Sequence, residues 1–165
     1  MEKFINGIIE SFKIVMTILG IINNYPSVYI SNINLIRYEK YYSIYFETEN
    51  IFNKSILDLI EYGIEINIYF KINTYFEKTI IYSNNIKYNI KKIEGYYYIN
   101  DKIINKSLLF GYFNKIELVV LEYIDKYKNK KLKTEIIIFM DSPSSSELLN
   151  LWGNLPKINI NYYVR

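Results

Sequence analysis

The chain changes its hydrophobic period near Val28, from helical spacing to alternation. Before this point, apolar residues recur every three or four positions between Phe4 and Ile22, which predicts a helix that ends before Pro26. After it, alternating apolar and polar residues predict strands. The predicted strands cover residues 28–36, 41–48, 64–73, 79–82, 86–90, 96–99, 135–140 and 158–164.

Two further stretches predict helices within this β-rich part. Residues 53–62 carry apolar positions at helical spacing, with Ser55 and Asp58 placed like a capping pair and Gly63 at the expected end. Residues 114–128 keep the same spacing, and Asn114 with Glu117 again resembles a cap. Short turns are expected at residues 83–85 and 94–95.

The order of these elements predicts an α+β fold. We expect mainly antiparallel strands in a twisted sheet or sandwich, with two main helices. The strand from Ile64 to Asn73 alternates most strictly, so one of its faces should lie in the core and the other in water. Residues 25–165 should form a single domain, with residues 1–24 as a separate N-terminal helix.

The N-terminal helix has two interpretations. Lys13 followed by an apolar run resembles a signal peptide or anchor, which would bring residues 1–22 into contact with a membrane. Glu2, Glu10 and the absence of a small-residue cleavage site favour a helix packed on the domain instead. The stretch is too short for a membrane span, which needs about 20 apolar residues.

The chain contains no His and no Cys, which narrows its chemistry. It lacks the usual ligands for zinc, copper and non-haem iron, the commonest general base, and a thiol nucleophile. Glu47 and Glu49 share a strand face, but acid–base pairs usually come from different elements, so we interpret them as solvated. We expect no enzymatic activity and no cofactor.

The net charge of +3 gives no strong field for nucleic acid. Ile, Asn, Lys and Tyr dominate, which indicates an AT-rich genome and weakens any argument from the 19 Tyr alone. The candidate nucleic-acid contacts are the lysines at the end of the second predicted helix, with Tyr96–Tyr98 as a stacking platform. These lysines are Lys126, Lys128, Lys130, Lys131 and Lys133. In the alternative interpretation they only complement the helix dipole.

Four aromatic residues are candidates for contact with a protein partner. Tyr69 lies on the polar face of the most regular predicted strand, and Tyr96 and Tyr98 share one face of another. Trp152, the one Trp of the chain, would either anchor a partner or pack under a loop.

The hydrophobic pattern from Ile33 to Tyr163 resembles an uncharacterised family of bacterial envelope proteins. The resemblance rests on the stretch Leu59–Ile64, the alternating strand to Ile72, Ile86–Tyr88 and Gly95–Tyr98. Members of that family carry a signal sequence and one β-rich domain of unknown function. The resemblance implies a location in the envelope or periplasm and a non-enzymatic role.

We therefore expect a binding or structural module of the cell envelope that contacts a protein through a sheet face or edge. The rival hypothesis is a cytosolic protein associated with RNA or the ribosome, with Lys126–Lys133 and Tyr96–Tyr98 on one surface. The third hypothesis is that the protein is a subunit of a larger assembly.

Overall fold

The computed structural model describes residues 27–143 and 154–165. The predicted N-terminal helix and Trp152 lie outside these ranges. Of the described residues, 60% are in strands. The expectation of mainly antiparallel sheet is confirmed, but the fold is richer in β-structure than the α+β class implies.

The described elements are nine strands, two short α-helices and one 3-10 helix. The strands are β1 (Tyr29–Arg37), β2 (Tyr41–Glu49), β3 (Ile66–Phe76), β4 (Thr79–Ile93), β5 (Tyr96–Ile99), β6 (Lys102–Ile104), β7 (Lys115–Glu122), β8 (Lys131–Asp141) and β9 (Lys157–Tyr163). The helices are α1 (Lys54–Glu61), α2 (Lys106–Gly111) and the 3-10 helix Ile124–Tyr127.

The strands form two antiparallel sheets. The small sheet has the order β1-β2-β7, and the large sheet has the order β6-β5-β4-β3-β8-β9. All strand pairs are antiparallel. The first two predicted strands form the hairpin of β1 and β2. Strands β3 to β6 form an antiparallel meander, in which the predicted strands 79–82 and 86–90 are the single strand β4.

The inner faces of both sheets contribute to one hydrophobic core. On β3 every second side chain from Ile66 to Ile72 has no exposed area, because the alternating pattern turns these residues to the same face. Phe46 of the small sheet meets Phe70 of the large sheet at 6.5 Å between ring centroids. Burying aromatic and branched side chains from both sheets supplies the main stabilisation of the fold.

Helix α1 begins and ends close to where the sequence predicts, although its cap differs. The Asn53 side chain, rather than a Ser55–Asp58 pair, accepts the hydrogen bond from the Ile56 backbone N–H at 3.0 Å. At the other end, Gly63 has a φ of +81°. The backbone N–H groups of Gly63 and Ile64 bond to the carbonyls of Ile60 and Leu59, which is the arrangement that favours glycine.

The prediction of a second main helix at residues 114–128 is wrong. This stretch forms β7 followed by the 3-10 helix. The reason is that Ile116, Leu118 and Val120 also alternate, and all three are buried when β7 pairs with β2. Ile116 and Leu118 lie opposite Phe46 and Ile44, and Val120 lies at a register shift. The apolar residues fit both periods, and tertiary packing selected the strand.

Two smaller expectations about the large sheet are also wrong. Residues 83–85 are not a turn, because β4 runs through them and Ser83 pairs with Asn73 of β3. The face of β3 opposite the core is not simply in water, since Asn67 and Asn73 are buried. Asn67 donates to the Asp141 carboxylate at 3.0 Å and accepts from Asn89 at 2.9 Å, so neighbouring strands satisfy its amide.

Candidate functional site

Strand β7 is an edge of the small sheet and pairs, among the described residues, with β2 alone. Its inner side chains are buried in the core, whereas Glu117 and Glu122 on its other face are exposed. An edge strand presents backbone N–H and C=O groups that can pair with another chain. The edge of β7 is therefore a candidate surface for strand addition.

The large sheet extends past this edge. Tyr82, Ile86 and Tyr88 of β4 lie opposite Thr74, Phe70 and Ile68 of β3, so they occupy core-facing positions. All three are only half-buried, although their β3 partners have no exposed area. The small sheet thus ends at β7 and leaves this part of the inner face of β4 only partly covered, with Tyr88 packed against Phe113.

Two hollows mark the gap between β7 and β4. One, of about 110 Å³, lies among Tyr88, Phe113 and the first half of β7. The other, of about 430 Å³, lies between Tyr82 and the 3-10 helix at the other end of β7. Burial raises the pKa of both the Tyr82 and Tyr88 hydroxyls, so both remain neutral donors at physiological pH.

A larger hollow of about 700 Å³ adjoins the second one at Glu122 and Tyr123, which line both. It lies at the turn between β1 and β2, where Glu39 and Tyr41 meet the end of β7. We call the β7 edge together with these three hollows the β7 groove.

Tyr123 occupies a strained and exposed position in the β7 groove. Its φ of 55° and ψ of 51° place it in the left-handed region, and its side chain is 80% exposed. The chain must reverse after β7 to bury Ile124, which explains the conformation but not the aromatic residue. Strain of this kind costs of order 1–3 kcal/mol and is typical of functional positions.

Carboxylates surround the β7 groove. Glu39, Glu122 and Asp125 line the larger hollow, and none of them forms an ion pair with a described residue. Glu117 lines the smallest hollow, and its carboxylate accepts hydrogen bonds from the hydroxyls of Tyr38 at 2.8 Å and Ser43 at 2.5 Å.

A separate charged cluster joins α1 to the far end of the large sheet. The Glu61 carboxylate accepts hydrogen bonds from Lys106, Lys92 and Tyr97. These donors, Lys106 first, lower the pKa of Glu61 to about 2. These charge-assisted hydrogen bonds hold α1 and α2 against β4 and β5.

The three described tyrosines predicted to contact a partner lie on the outer face of the large sheet. Tyr69 stacks on Phe139 with 4.5 Å between ring centroids, and the Lys87 ammonium lies 5.7 Å from the Tyr69 ring. Tyr98 is half-buried opposite Lys91, and Tyr96 is 59% exposed at the end of β5. None of these three residues reaches the β7 groove.

The predicted lysine cluster is divided among three elements. Lys126 belongs to the 3-10 helix and lines one hollow of the groove, whereas Lys131 and Lys133 lie on β8. Lys128 follows the 3-10 helix, and the Lys130 ammonium lies 5.6 Å from the ring of Phe76.

The lysines and Tyr96–Tyr98 do not form one surface. Lys133 pairs with Tyr75, which pairs with Ile80, whereas Tyr98 pairs with Lys91. Ile80 and Lys91 lie eleven positions apart on β4, which corresponds to about 35 Å along an extended strand.

The sequence does not predict the β7 groove, because the spacing over residues 114–128 favours a helix. The alternation of Ile116, Leu118 and Val120 is the signal that indicates a strand there. How much of β4 the small sheet covers, by contrast, depends on the order of the strands, and no local sequence pattern indicates it.

Within the described ranges, no group of three or more Asp and Glu is arranged to hold a metal ion. No helix in that part of the chain has the length and hydrophobicity needed to cross a membrane.

The chain matches no family model, no curated protein and no solved structure.

Proposed function

We propose that this protein is a non-catalytic binding module that takes up an extended segment of a protein partner along β7. The observation that carries the proposal is the inward-facing row of β4 beside an edge strand, in which Tyr82, Ile86 and Tyr88 are half-buried and Asn84 is exposed. The absence of His and Cys from the sequence supports a role without catalysis.

An added strand would pair with the free backbone groups of β7 and would also cover side chains on β4. Its backbone would pair with β7, whose eight residues span about 26 Å. Every second side chain would point inward and cover this row on β4, while the others would point outward beside Glu117 and Glu122. Main-chain hydrogen bonds then give affinity, and alternate side chains give specificity.

The first test is an NMR titration of the full-length protein with a nonapeptide of alternating Val and Ser. Addition to β7 should shift and protect the amides of β7. Two further peptides carry N-methyl groups on either the odd or the even residues. One of them should lose binding, because only one set of amides faces β7. Equal binding by both N-methylated peptides, or no shift in β7, would overturn strand addition.

A pair of substitutions on β4 tests the contribution of the inward-facing row. Ile86→Ser removes an inward side chain and should weaken peptide binding about tenfold, which corresponds to about 1.4 kcal/mol of lost burial. Ile80→Ser is the matched control, because Ile80 lies on the same strand but pairs with outward-facing Tyr75 and is 51% exposed. Equal effects of the two changes would contradict a role of the inner face.

We further propose a location in the cell envelope. The apolar stretch within residues 1–22 and the resemblance to envelope proteins support it. Protease treatment of the source cells tests it: a tagged full-length protein should be cleaved once the outer barrier alone is opened. Protection until complete lysis would instead place the protein in the cytosol.

RNA binding is the second candidate function, and the Tyr69–Phe139 stack with Lys87 beside it favours this alternative. Aromatic rings on an open sheet face can stack on bases while lysines contact phosphates. Binding of a U12 oligonucleotide that weakens steeply with salt and is lost in Phe139→Ala would support it. Oligonucleotide binding that does not depend on salt, or the absence of binding, would exclude RNA binding by this face of the large sheet.

A further inference from the structure

We infer that the segment taken up by β7 is basic, with Lys or Arg at the alternate positions that point away from the core. This inference rests on the proposed function and specifies its partner. It concerns the outward side of the β7 groove, whereas the proposed function rests on the inward side.

The charge distribution around the β7 groove is the first argument. Glu39, Glu117, Glu122 and Asp125 line its hollows, against Lys40, Lys115 and Lys126. The local charge is therefore about −1, although the whole chain carries +3. This edge is a negative region of a positive protein, so it complements a cationic partner.

The lining cation at the start of β7 lies beside a carboxylate of β2 that offsets part of its charge. Lys115 begins β7, but it pairs with Glu47 of β2 in the strand register, and its charge helps to lower the pKa of the Glu47 carboxyl. Hydrogen bonds from Asn32 and Tyr45 are the larger causes of that shift. Glu122 and Asp125 lie at the opposite end of β7.

The placement of these carboxylates relative to an added strand is the second argument. Glu117 and Glu122 are exposed on the outer face of β7. Side chains of a neighbouring strand on the same face would lie about 5 Å away between Cβ atoms, the range in which opposite charges attract. The same segment would turn its apolar residues toward Tyr82, Ile86 and Tyr88, so it should alternate basic and apolar residues.

Tyr123 supplies the third argument. Its ring is 80% exposed and lines two hollows together with Glu122. An ammonium or guanidinium group over such a ring gains about 0.5–1 kcal/mol at an exposed site, and a nearby carboxylate adds to this. A cation would therefore use both the aromatic ring and the carboxylate at the end of β7.

The test compares three nonapeptides in which Val alternates with Lys, Ser or Glu, each titrated into the full-length protein by NMR at low salt. The Lys peptide should bind at least about tenfold more tightly than the Ser peptide, and the Glu peptide should bind most weakly. Raising the salt to about 0.3 M should remove most of the difference between the Lys and Ser peptides, because salt screens exposed charges.

Substitutions in the β7 groove test which carboxylates cause the preference for the Lys peptide over the Ser peptide. Glu122→Gln combined with Asp125→Asn should reduce the ratio of Lys-peptide to Ser-peptide affinity at least about threefold, and this ratio cancels any change in binding that is common to both peptides. Glu49→Gln is the matched control, because Glu49 is an exposed carboxylate at the other end of the small sheet. The control should retain the full preference for Lys.

The outcomes separate the inference from the function on which it rests. Equal affinity for the Lys and Ser peptides, with both at β7, overturns the basic partner and leaves strand addition intact. Failure of all three peptides to shift β7 overturns both. Shifts in β7 that depend on protein concentration without peptide would mean that a second copy fills the groove, which also overturns a basic foreign segment.

Discussion

The side-chain hydroxyl of Thr74 donates a hydrogen bond to the backbone carbonyl of Val120 and so joins the large sheet to β7. Thr74 and Thr134 lie 2.7 Å apart between hydroxyl oxygens, and Thr134 lies 3.2 Å from the Tyr162 hydroxyl. Because a carbonyl can only accept, the direction of the chain is fixed from Tyr162 through Thr134 and Thr74 to Val120. Four strands of two sheets are thereby connected by buried hydroxyls.

Thr74→Val should destabilise the protein by about 1–3 kcal/mol, although it preserves shape. The change removes the hydroxyl donor to the buried Val120 carbonyl and leaves the Thr134 hydroxyl with Tyr162 as its remaining hydroxyl partner. Urea unfolding at neutral pH measures the effect. Tyr162→Phe is the control, since it removes only the first donor and should cost about 1 kcal/mol or less. A larger effect from Tyr162→Phe would contradict this hydrogen-bond chain.

The Glu61 cluster predicts a dependence of stability on acidic pH. The folded pKa of Glu61 is about 2, below the ordinary value of 4.5. Its contribution is therefore complete above about pH 5 and is lost as the pH falls toward 2. Glu61→Gln should lower the free energy of unfolding by about 1 kcal/mol at pH 7, a value that allows for partial solvent exposure.

The difference in stability between the two proteins should shrink below about pH 5 and be mostly lost near pH 2. Urea unfolding of wild type and Glu61→Gln at several pH values tests this convergence. Glu94→Gln, which alters an exposed turn carboxylate, should show no such trend. A difference between wild type and Glu61→Gln that stays constant down to pH 2 would exclude the lowered pKa.

Tyr123→Asn should raise or leave unchanged the stability of the protein while weakening uptake of the Lys peptide. Asn tolerates the left-handed conformation better than Tyr, and the exposed ring contributes little packing. The free energy of unfolding should rise by up to about 1 kcal/mol, measured as a shift of the unfolding midpoint. Tyr96→Asn, on a regular strand, should lower stability instead. A marked loss of stability in Tyr123→Asn would show that the ring serves the fold.

A chain that begins at Tyr25 should fold by itself. The core of the described residues runs from Val28 to Val164 and joins both sheets. Circular dichroism and a dispersed NMR spectrum measure folding, and full-length protein is the reference. An insoluble or disordered fragment would mean that residues 1–24 belong to the fold, and the anchor interpretation would fail.

The sequence alone determined the elements that carry strong local signals. The alternation at Ile66–Ile72 defines a strand in any context, because only one register buries all its apolar residues. Gly63 marks the end of α1, because its backbone conformation suits glycine. The lack of His and Cys likewise limits the chemistry of the chain, because no fold can supply side chains that the sequence lacks.

Only the tertiary structure decided the identity of β7 and the position of the groove. Ile116, Leu118 and Val120 fit both a helix and a strand, and pairing with β2 settled the choice. The order β1-β2-β7 then left β7 at an edge and Tyr82, Ile86 and Tyr88 partly uncovered. Strand order depends on contacts between residues far apart in the chain, such as Ser43 with Val119, and a local pattern cannot encode them.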